Sequence, residues 1–213
     1  LTRHTWGGVR DDDRGHGHRR RRGRRIGGGP EALLQHDGTP LVDRAIETVR
    51  DAGCEPVFVV LGAAADEVQA AAELKGASVL VDKTWGRGIG SSLRVGLSAL
   101  TDTDADAVVV VPVDMPGVTA HAVRRVAALP YSDVLVCATY EGRRSYPMLF
   151  GRKHWPGIST VAHADAGARP YLLAHKHEVV DVACDRIADG ARLESPEAVA
   201  AFKLTIPTQR TRR

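Results

Sequence analysis

Several short stretches of this 213-residue chain carry residue types suited to phosphate chemistry. The first runs Lys83-Thr84-Trp85-Gly86-Arg87-Gly88-Ile89-Gly90-Ser91-Ser92-Leu93. Its three glycines let the backbone approach a ligand closely. Ser91 or Ser92 can cap the helix that follows, and the first N–H groups of a helix form an anion site. On spacing alone it is equally a capped helix after a glycine-rich turn, and it is neither a GxGxxG motif nor a P-loop. The second stretch is Asp114-Met115-Pro116, which ends an apolar run. A hard cation such as Mg²⁺ takes oxygen ligands, often one or two carboxylates plus substrate phosphates. The bland alternative is an aspartate that closes a turn. A third cluster, Asp165-Ala166-Gly167-Ala168-Arg169, suits polar recognition or a surface ion pair. Gly27-Gly28-Gly29 could cradle a phosphate, and Gly62 ends another apolar run. No Ser/His/Asp or Cys/His constellation stands out.

These groups need a scaffold that brings them to one edge. From Thr39 onward, helical and strand patterns alternate. Leu41, Val42, Ala45, Ile46 and Val49 recur at helical spacing, with Gly53 as a stop. Strands are expected over 56–62, 77–82, 106–114, 132–140 and 177–184, with another after the turn that begins at Glu141. Helices are expected over 63–76, 91–100 and 119–129. A final helix opens at Ser195-Pro196, with Ser as N-cap and Pro in the first turn. The run "DAVVVVPVD" is apolar on both faces, as in the middle of a parallel sheet. Repeated βα units predict an α/β fold, a Rossmann-like three-layer sandwich with a mostly parallel central sheet. In such a fold ligands bind beyond the carboxyl ends of the strands, where Gly62, Gly88, Ser91, Ser92 and Asp114 would fall.

Bulk properties narrow the class. A chain of this length fits one domain with a substantial core. The longest apolar stretch, 107–113, is far short of the ~20 residues that span a bilayer, so no membrane partner is expected. Cys54, Cys137 and Cys184 lie far apart and lack metal-ligand spacing, which points to a cytoplasmic protein. The pairs His16/His18 and His175/His177 also lack tight metal spacing. Residues 1–25 hold nine arginines and three aspartates, a net of +6, within a total of only +3. The remainder is therefore mildly acidic, and a nucleic-acid-binding surface is not expected on it. Trp6 is the sole aromatic residue in that arginine-rich segment, which weakens the reading of a nucleic-acid-binding arm.

Taken together, "PEALLQHDGTPLVDRAI", "DKTWGRGIGSSLRVGL", "VVVVPVDMPGVT", "YPMLFGR" and "DAGAR" resemble the MobA-like NTP transferases, in order and spacing. The nearest branch is the molybdenum cofactor cytidylyltransferases. "ESPEAV" is a weaker echo of the family's closing Asp-Thr-Pro-Glu-Asp. The resemblance covers about residues 26–202. It implies a nucleotide-diphospho-sugar transferase type of fold, CTP or GTP as co-substrate, and Mg²⁺. It also implies attack by an acceptor phosphate on the α-phosphorus, with pyrophosphate released. The acceptor would be a phosphorylated pterin of molybdenum cofactor biosynthesis, and molybdoenzymes or their chaperone proteins would be the protein partners. A phosphate monoester is mostly ionised at neutral pH, so its attack needs no general base. Carried over, Asp114 is catalytic and holds the metal, and Arg25 is catalytic. Gly27, Gly28, Gly29, Gly62, Gly88, Ser91, Ser92, Asp165 and Arg169 would bind the nucleotide or acceptor.

The chain departs from the family at its start. The family opens with an apolar strand, Leu-Ala-Ala-Gly, a glycine/arginine loop and a Pro-Lys pair. Neither the strand nor Leu-Ala-Ala-Gly is visible here, and Glu31 stands at the lysine position. Attraction exchanged for repulsion at about 4 Å changes phosphate binding by several multiples of ~1 kcal/mol, with Arg24 or Arg25 left to compensate. Residues 1–25 thus read as an atypical arginine-rich segment, disordered or altered in reading frame. Residues 26–205 read as the nucleotidyltransferase domain and 206–213 as a basic tail. A second function class follows from the same departures: a homologue that binds nucleotide or cofactor without turnover.

Overall fold

The computed structural model describes residues 29–129 and 131–205, together with the backbone of residues 5–10. Among the described residues nine strands form: β1 (Thr5–Arg10), β2 (Gln35–His36), β3 (Thr39–Pro40), β4 (Val57–Leu61), β5 (Ala77–Val81), β6 (Ala107–Pro112), β7 (Leu135–Tyr140), β8 (Arg143–Gly151) and β9 (Val179–Ala183). The helices are α1 (Leu41–Asp51), α2 (Ala65–Ala71), α3 (Ile89–Leu100), α4 (Ala120–Val126), α5 (Trp155–Val161), α6 (Arg169–Ala174) and α7 (Pro196–Ala201). Seven strands make one sheet in the order β5-β4-β1-β6-β8-β7-β9, while β2 and β3 form a small hairpin. Every neighbour in the large sheet is parallel except at β8, which runs antiparallel to both β6 and β7. This is the mostly parallel α/β sandwich that the alternation of patterns predicts.

The sheet is covered on both faces because its strands alternate between two cores. Ala107, Val109 and Val111 of β6 point into the core shared with Ile46 and Val49 of α1 and Val123 of α4. Val108 and Val110 point into the core formed with Leu93, Leu97 and Leu100 of α3 and Ile158 of α5. A strand buried on both faces reads as a continuous apolar run, as β6 does.

The opening strand that the sequence did not reveal is present. Thr5–Arg10 lies between β4 and β6, in register from Thr5↔Ala107 to Arg10↔Pro112 and from Gly7↔Val57 to Arg10↔Val60. Its sequence, TWGGVR, lacks an apolar pattern, and glycine weakens a strand. The position is set instead by the neighbours. Two buried strands each present a row of backbone groups that must be paired. The expectations for residues 11–28, Arg25, Gly27 and Gly28 included, and for 206–213 lie outside the described residues.

Several boundaries move for identifiable reasons. The helix expected over 63–76 stops at Ala71, because the Asp43 carboxylate accepts hydrogen bonds from the Glu73 and Leu74 amides at 3.1 and 2.7 Å. Leu74 then adopts φ +52, which a helix cannot continue through. The helix expected from Ser91 begins at Ile89, with Gly88 as its N-cap at φ +91, so the serines are not caps. Thr119 caps α4, accepting from the Ala122 amide, and Ser195 caps α7 as expected, accepting from the Ala198 amide. Helices α5 and α6 were not anticipated; each is only about two turns long. Among the described residues no helix is long and apolar enough to cross a membrane.

Asp43 is the buried link between α1 and the end of α2, at 8% exposure. Asp43→Ala leaves two amides without their acceptor and should lower unfolding free energy by about 1–3 kcal/mol. Asp43→Asn, which keeps one oxygen, should lose less. Urea unfolding of the three proteins checks the order, and equal stability for all three would contradict it.

Candidate active site

The carboxyl ends of β4, β5, β6, β7 and β9 share one edge of the sheet, and the antiparallel β8 starts from that same edge. Among the described residues, two buried aspartates stand just past strand ends there: Asp82 after β5, at 1% exposure, and Asp114 after β6, at 4%. Strands β4 and β1 lie between, which is about 14 Å at ~4.8 Å per strand.

Asp82 organises the glycine-rich turn. Its Oδ1 accepts from the Thr84 amide at 2.7 Å and the Thr84 hydroxyl at 2.8 Å. Its Oδ2 accepts from Ser91 Oγ at 2.6 Å and Ser92 Oγ at 3.0 Å. Burial alone would push this carboxyl up, but the hydrogen bonds from Ser91, Thr84 and Ser92 outweigh it and hold it below its ordinary value. Ser91 and Ser92 are themselves buried, so each spends its single hydroxyl proton inside the protein. They reach a ligand only through the loop that they hold in place.

That loop is docked against the cluster around Asp165. A Cβ on Gly88 would lie 2.6 Å from the Ala164 carbonyl carbon and 2.7 Å from Asp165 Oδ1. A Cβ on Gly90 would lie 2.5 Å from the His163 nitrogen. Glycine is therefore required at both positions for close approach as well as, at Gly88, for its positive φ. The Arg94 guanidinium donates to the Ala162 carbonyl and fastens α3 to the same segment. Asp165 and Arg169 are both exposed, and no ion pair joins them among the described residues. The structure thus brings the Gly88–Ser92 turn against the segment that carries Asp165.

Asp114 has a different partner. Arg192 Nε donates to Asp114 Oδ2 at 3.0 Å, and Arg192 Nη2 donates to Oδ1 and Oδ2 at 2.9 and 2.7 Å. The guanidinium also sits 5.8 Å from the Tyr146 ring centre. Arg192 arrives on a strap, residues 184–193, that crosses the strand ends. The strap is held by Cys184 N to Thr139 O, Thr119 Oγ1 to Ile187 O, Asp189 N to Gly117 O and Leu193 N to Asp114 O, all at 2.8–3.0 Å. Gly190 packs against the Tyr140 ring, where a Cβ would come within 2.4 Å of Cδ2. The guanidinium thus engages both carboxylate oxygens, and a divalent ion on that edge would meet its like charge. Among the described residues no group of three His, Cys, Asp or Glu converges. With Arg192 seated, these residues do not fit a divalent ion on Asp114.

Beside the strap opens a cleft of ≈ 630 Å³ lined by Tyr140, Arg143, Ser145, Asp185, Asp189 and Gly190. Arg144, also on its wall, is committed to Asp181 through Nε at 2.6 Å and Nη2 at 3.1 Å. Arg143 is exposed and makes no ion pair among the described residues.

Of the remaining candidates, Gly29 is half-buried with open space where a Cβ would be, one residue before Pro30 and two before Glu31. The Gly62 carbonyl accepts from the Ala65 amide at 3.2 Å and so opens α2. Sequence reasoning missed Asp82, Arg143 and Arg192. Asp82 carries the signal that flagged Asp114, a carboxylate ending an apolar strand. Arg192 carries no local signal, since only the strap brings it to the site.

A model of the MobA-like NTP transferase domain matches residues 22–179. Nicotine blue oxidoreductase of Paenarthrobacter nicotinovorans is 32% identical over 182 residues, covering 82% of this chain and 88% of that protein. Molybdenum cofactor guanylyltransferase of Shewanella halifaxensis (strain HAW-EB4) is 27% identical over 177 residues, covering 82% and 85%. Among solved structures, Rv0371c from Mycobacterium tuberculosis H37Rv has a TM-score of 0.78 at 24% identity, covering 95% of this chain and 98% of that one. A complex of Rv0371c with manganese gives a TM-score of 0.73 at 23% identity. These two structures establish the fold, and the family match, which spans most of the sequence, establishes the kinship. The chain belongs to the MobA-like NTP transferase family.

Proposed function

We propose that this protein is a nucleotidyltransferase that moves a nucleoside monophosphate from an NTP to a phosphorylated acceptor and releases pyrophosphate. CMP is favoured over GMP, and a phosphorylated pterin of the molybdopterin type is the favoured acceptor. The observation that carries the reading is the arrangement along one sheet edge. A glycine turn locked by Asp82 and docked on residues 162–165 stands at one end, and a cleft with Arg143, which makes no ion pair among the described residues, stands at the other. The cleft volume lies in the range of small-molecule sites.

The chemistry asks little of the protein beyond alignment. A phosphate monoester attacks without a general base, so positioning and charge stabilisation carry catalysis. The turn and the first amides of α3 would receive the nucleotide, with the backbone close because Gly88 and Gly90 have no side chains. Arg143 would hold the acceptor phosphate, and Arg192 would face the charge between the two. The Mg²⁺ that the family resemblance implies would not rest on Asp114 while Arg192 is seated there.

A second reading, nucleotide or cofactor binding without transfer, is favoured by the Asp114–Arg192 pair and by Glu31. The relative named nicotine blue oxidoreductase is named for a reaction of another class. Calorimetry with CTP and GTP, alongside a pyrophosphate-release assay with a phosphorylated pterin, separates the two readings. Transfer predicts acceptor-dependent pyrophosphate release, with CTP above GTP. Saturable nucleotide binding with no release supports the second reading, and no binding sinks both.

Two substitutions test the division of labour. Arg143→Ala should raise the acceptor KM by about tenfold or more, the worth of one phosphate hydrogen bond with charge, and leave the nucleotide KM within about twofold. Asp82→Asn should lower stability by about 1–3 kcal/mol near neutral pH and raise the nucleotide KM. Because the folded Asp82 carboxyl sits below its ordinary value, its stabilisation is present above about pH 4 and is lost as pH falls through the lowered value. The stability gap between wild type and Asp82→Asn should therefore narrow on acidification. A gap independent of pH would show that the carboxylate charge is not what holds the turn.

A further inference from the structure

The Asp114–Arg192 pair goes further than a structural link. We propose that Arg192 is a resident cation that takes the place of a divalent metal on Asp114 and presents its free edge to a phosphate. The nucleotide would then bind at this position without a divalent ion. This deepens the nucleotidyltransferase reading and rests on it only for the identity of the phosphate ligand.

Three observations carry the inference. First, the guanidinium engages both carboxylate oxygens at 2.7–3.0 Å through Nε and Nη2. This is the two-point geometry that makes such pairs strong and directional. A metal on the same face would meet a like charge only a few ångströms away. Second, the pair is built in. The Asp114 side chain is 4% exposed and that of Arg192 19%, so solvent screens the pair little. Both ends of the strap are fixed by backbone bonds, among them Leu193 N to Asp114 O at 2.9 Å; Gly190 of the strap seats closely on Tyr140, and its Asp189 seats closely on Gly117. Tyr146 supports the guanidinium from a third side. Third, a guanidinium has five N–H groups, and the bonds to Asp114 use only the Nε and Nη2 edge. The two N–H groups of Nη1 make no hydrogen bond among the described residues. They are the free donors of a cation whose own charge is balanced, suited to one or two phosphate oxygens.

The test compares metal binding and nucleotide binding on the full chain. Mn²⁺ alone is titrated by electron paramagnetic resonance into wild type, Arg192→Gln, Arg192→Lys and the double variant Asp114→Asn with Arg192→Gln. Far-ultraviolet circular dichroism confirms folding. Wild type and Arg192→Lys should bind Mn²⁺ at least about tenfold more weakly than Arg192→Gln, which lacks the cation at position 192, and the double variant should lose the gain. CTP and GTP are then titrated in EDTA and in Mg²⁺. Wild type should bind with affinities that agree within about threefold in the two conditions, and Arg192→Gln should lose about tenfold in EDTA. Stoichiometric Mn²⁺ binding by wild type that Asp114→Asn abolishes would overturn the proposal, as would nucleotide binding by wild type that EDTA removes. If Arg192→Gln does not fold, the wild-type and Arg192→Lys titrations alone decide the outcome. If no nucleotide binds in either condition, the transferase reading fails, and the Mn²⁺ series still decides what occupies Asp114.

Discussion

A carboxylate at the dry end of a buried strand cannot stand alone, and the way this protein meets that demand shapes its whole functional edge. Burying an ionised group without partners costs far more than the few kcal/mol by which a fold is stable. Asp82 and Asp114 both follow strands and are both buried. One is neutralised by dipoles, the other by a full charge. Asp82 draws hydroxyls and an amide inward, and in doing so shapes the turn from Thr84 to Ser92. Asp114 draws a guanidinium from a segment nearly eighty residues later in sequence, and in doing so ties the strap over the ends of β6 and β7.

The two solutions give the edge different properties. The Asp82 cluster is local: every donor lies within ten residues of the acceptor. It joins β5 to α3, and the amides of Thr84, Trp85, Arg87 and Gly88 close the turn between them. The Asp114 pair is non-local, so it closes only when the region after β9 is in place. Gly88 and Gly90 link the turn to residues 162–165 in the same manner, through backbone contact that a single methyl group would block. The site is thus assembled from the N-terminal βα units, the segment after β8 and the strap.

This separation explains what the sequence discloses. Strands such as β6 and helices such as α1 and α3 are legible because burial on one or two faces imposes a period that survives in composition alone. The caps at Thr119 and Ser195 are legible for a similar reason, since both their partners lie three residues ahead. The strand at Thr5–Arg10 is not, because two glycines and an arginine hide it and its place is fixed by the ladders of β4 and β6. The early stop of α2 is set by Asp43, thirty residues upstream, and the hydroxyls of Ser91 and Ser92 turn inward to a carboxylate that no local rule assigns to them. Asp114 is legible as a strand-end carboxylate, but its partner is not, because nothing near Arg192 in the chain announces the contact.

The choice of partner for Asp114 has a consequence for chemistry. A divalent ion on a single carboxylate leaves a net positive charge at the site, whereas a guanidinium leaves none. An Arg192-paired edge therefore pulls on a triphosphate less strongly than a metal-bearing one, and the alignment of donors must carry more of the binding. The arrangement is consistent with the mildly acidic character of the chain after residue 25, where Glu31 adds no attraction for phosphate. Selectivity on such an edge would come from shape: from the close backbone at Gly88 and Gly90, and from a cleft walled by Tyr140 and Arg143. A site of this kind would discriminate between ligands by fit more than by charge, beside a carboxylate–guanidinium pair that folding itself puts in place.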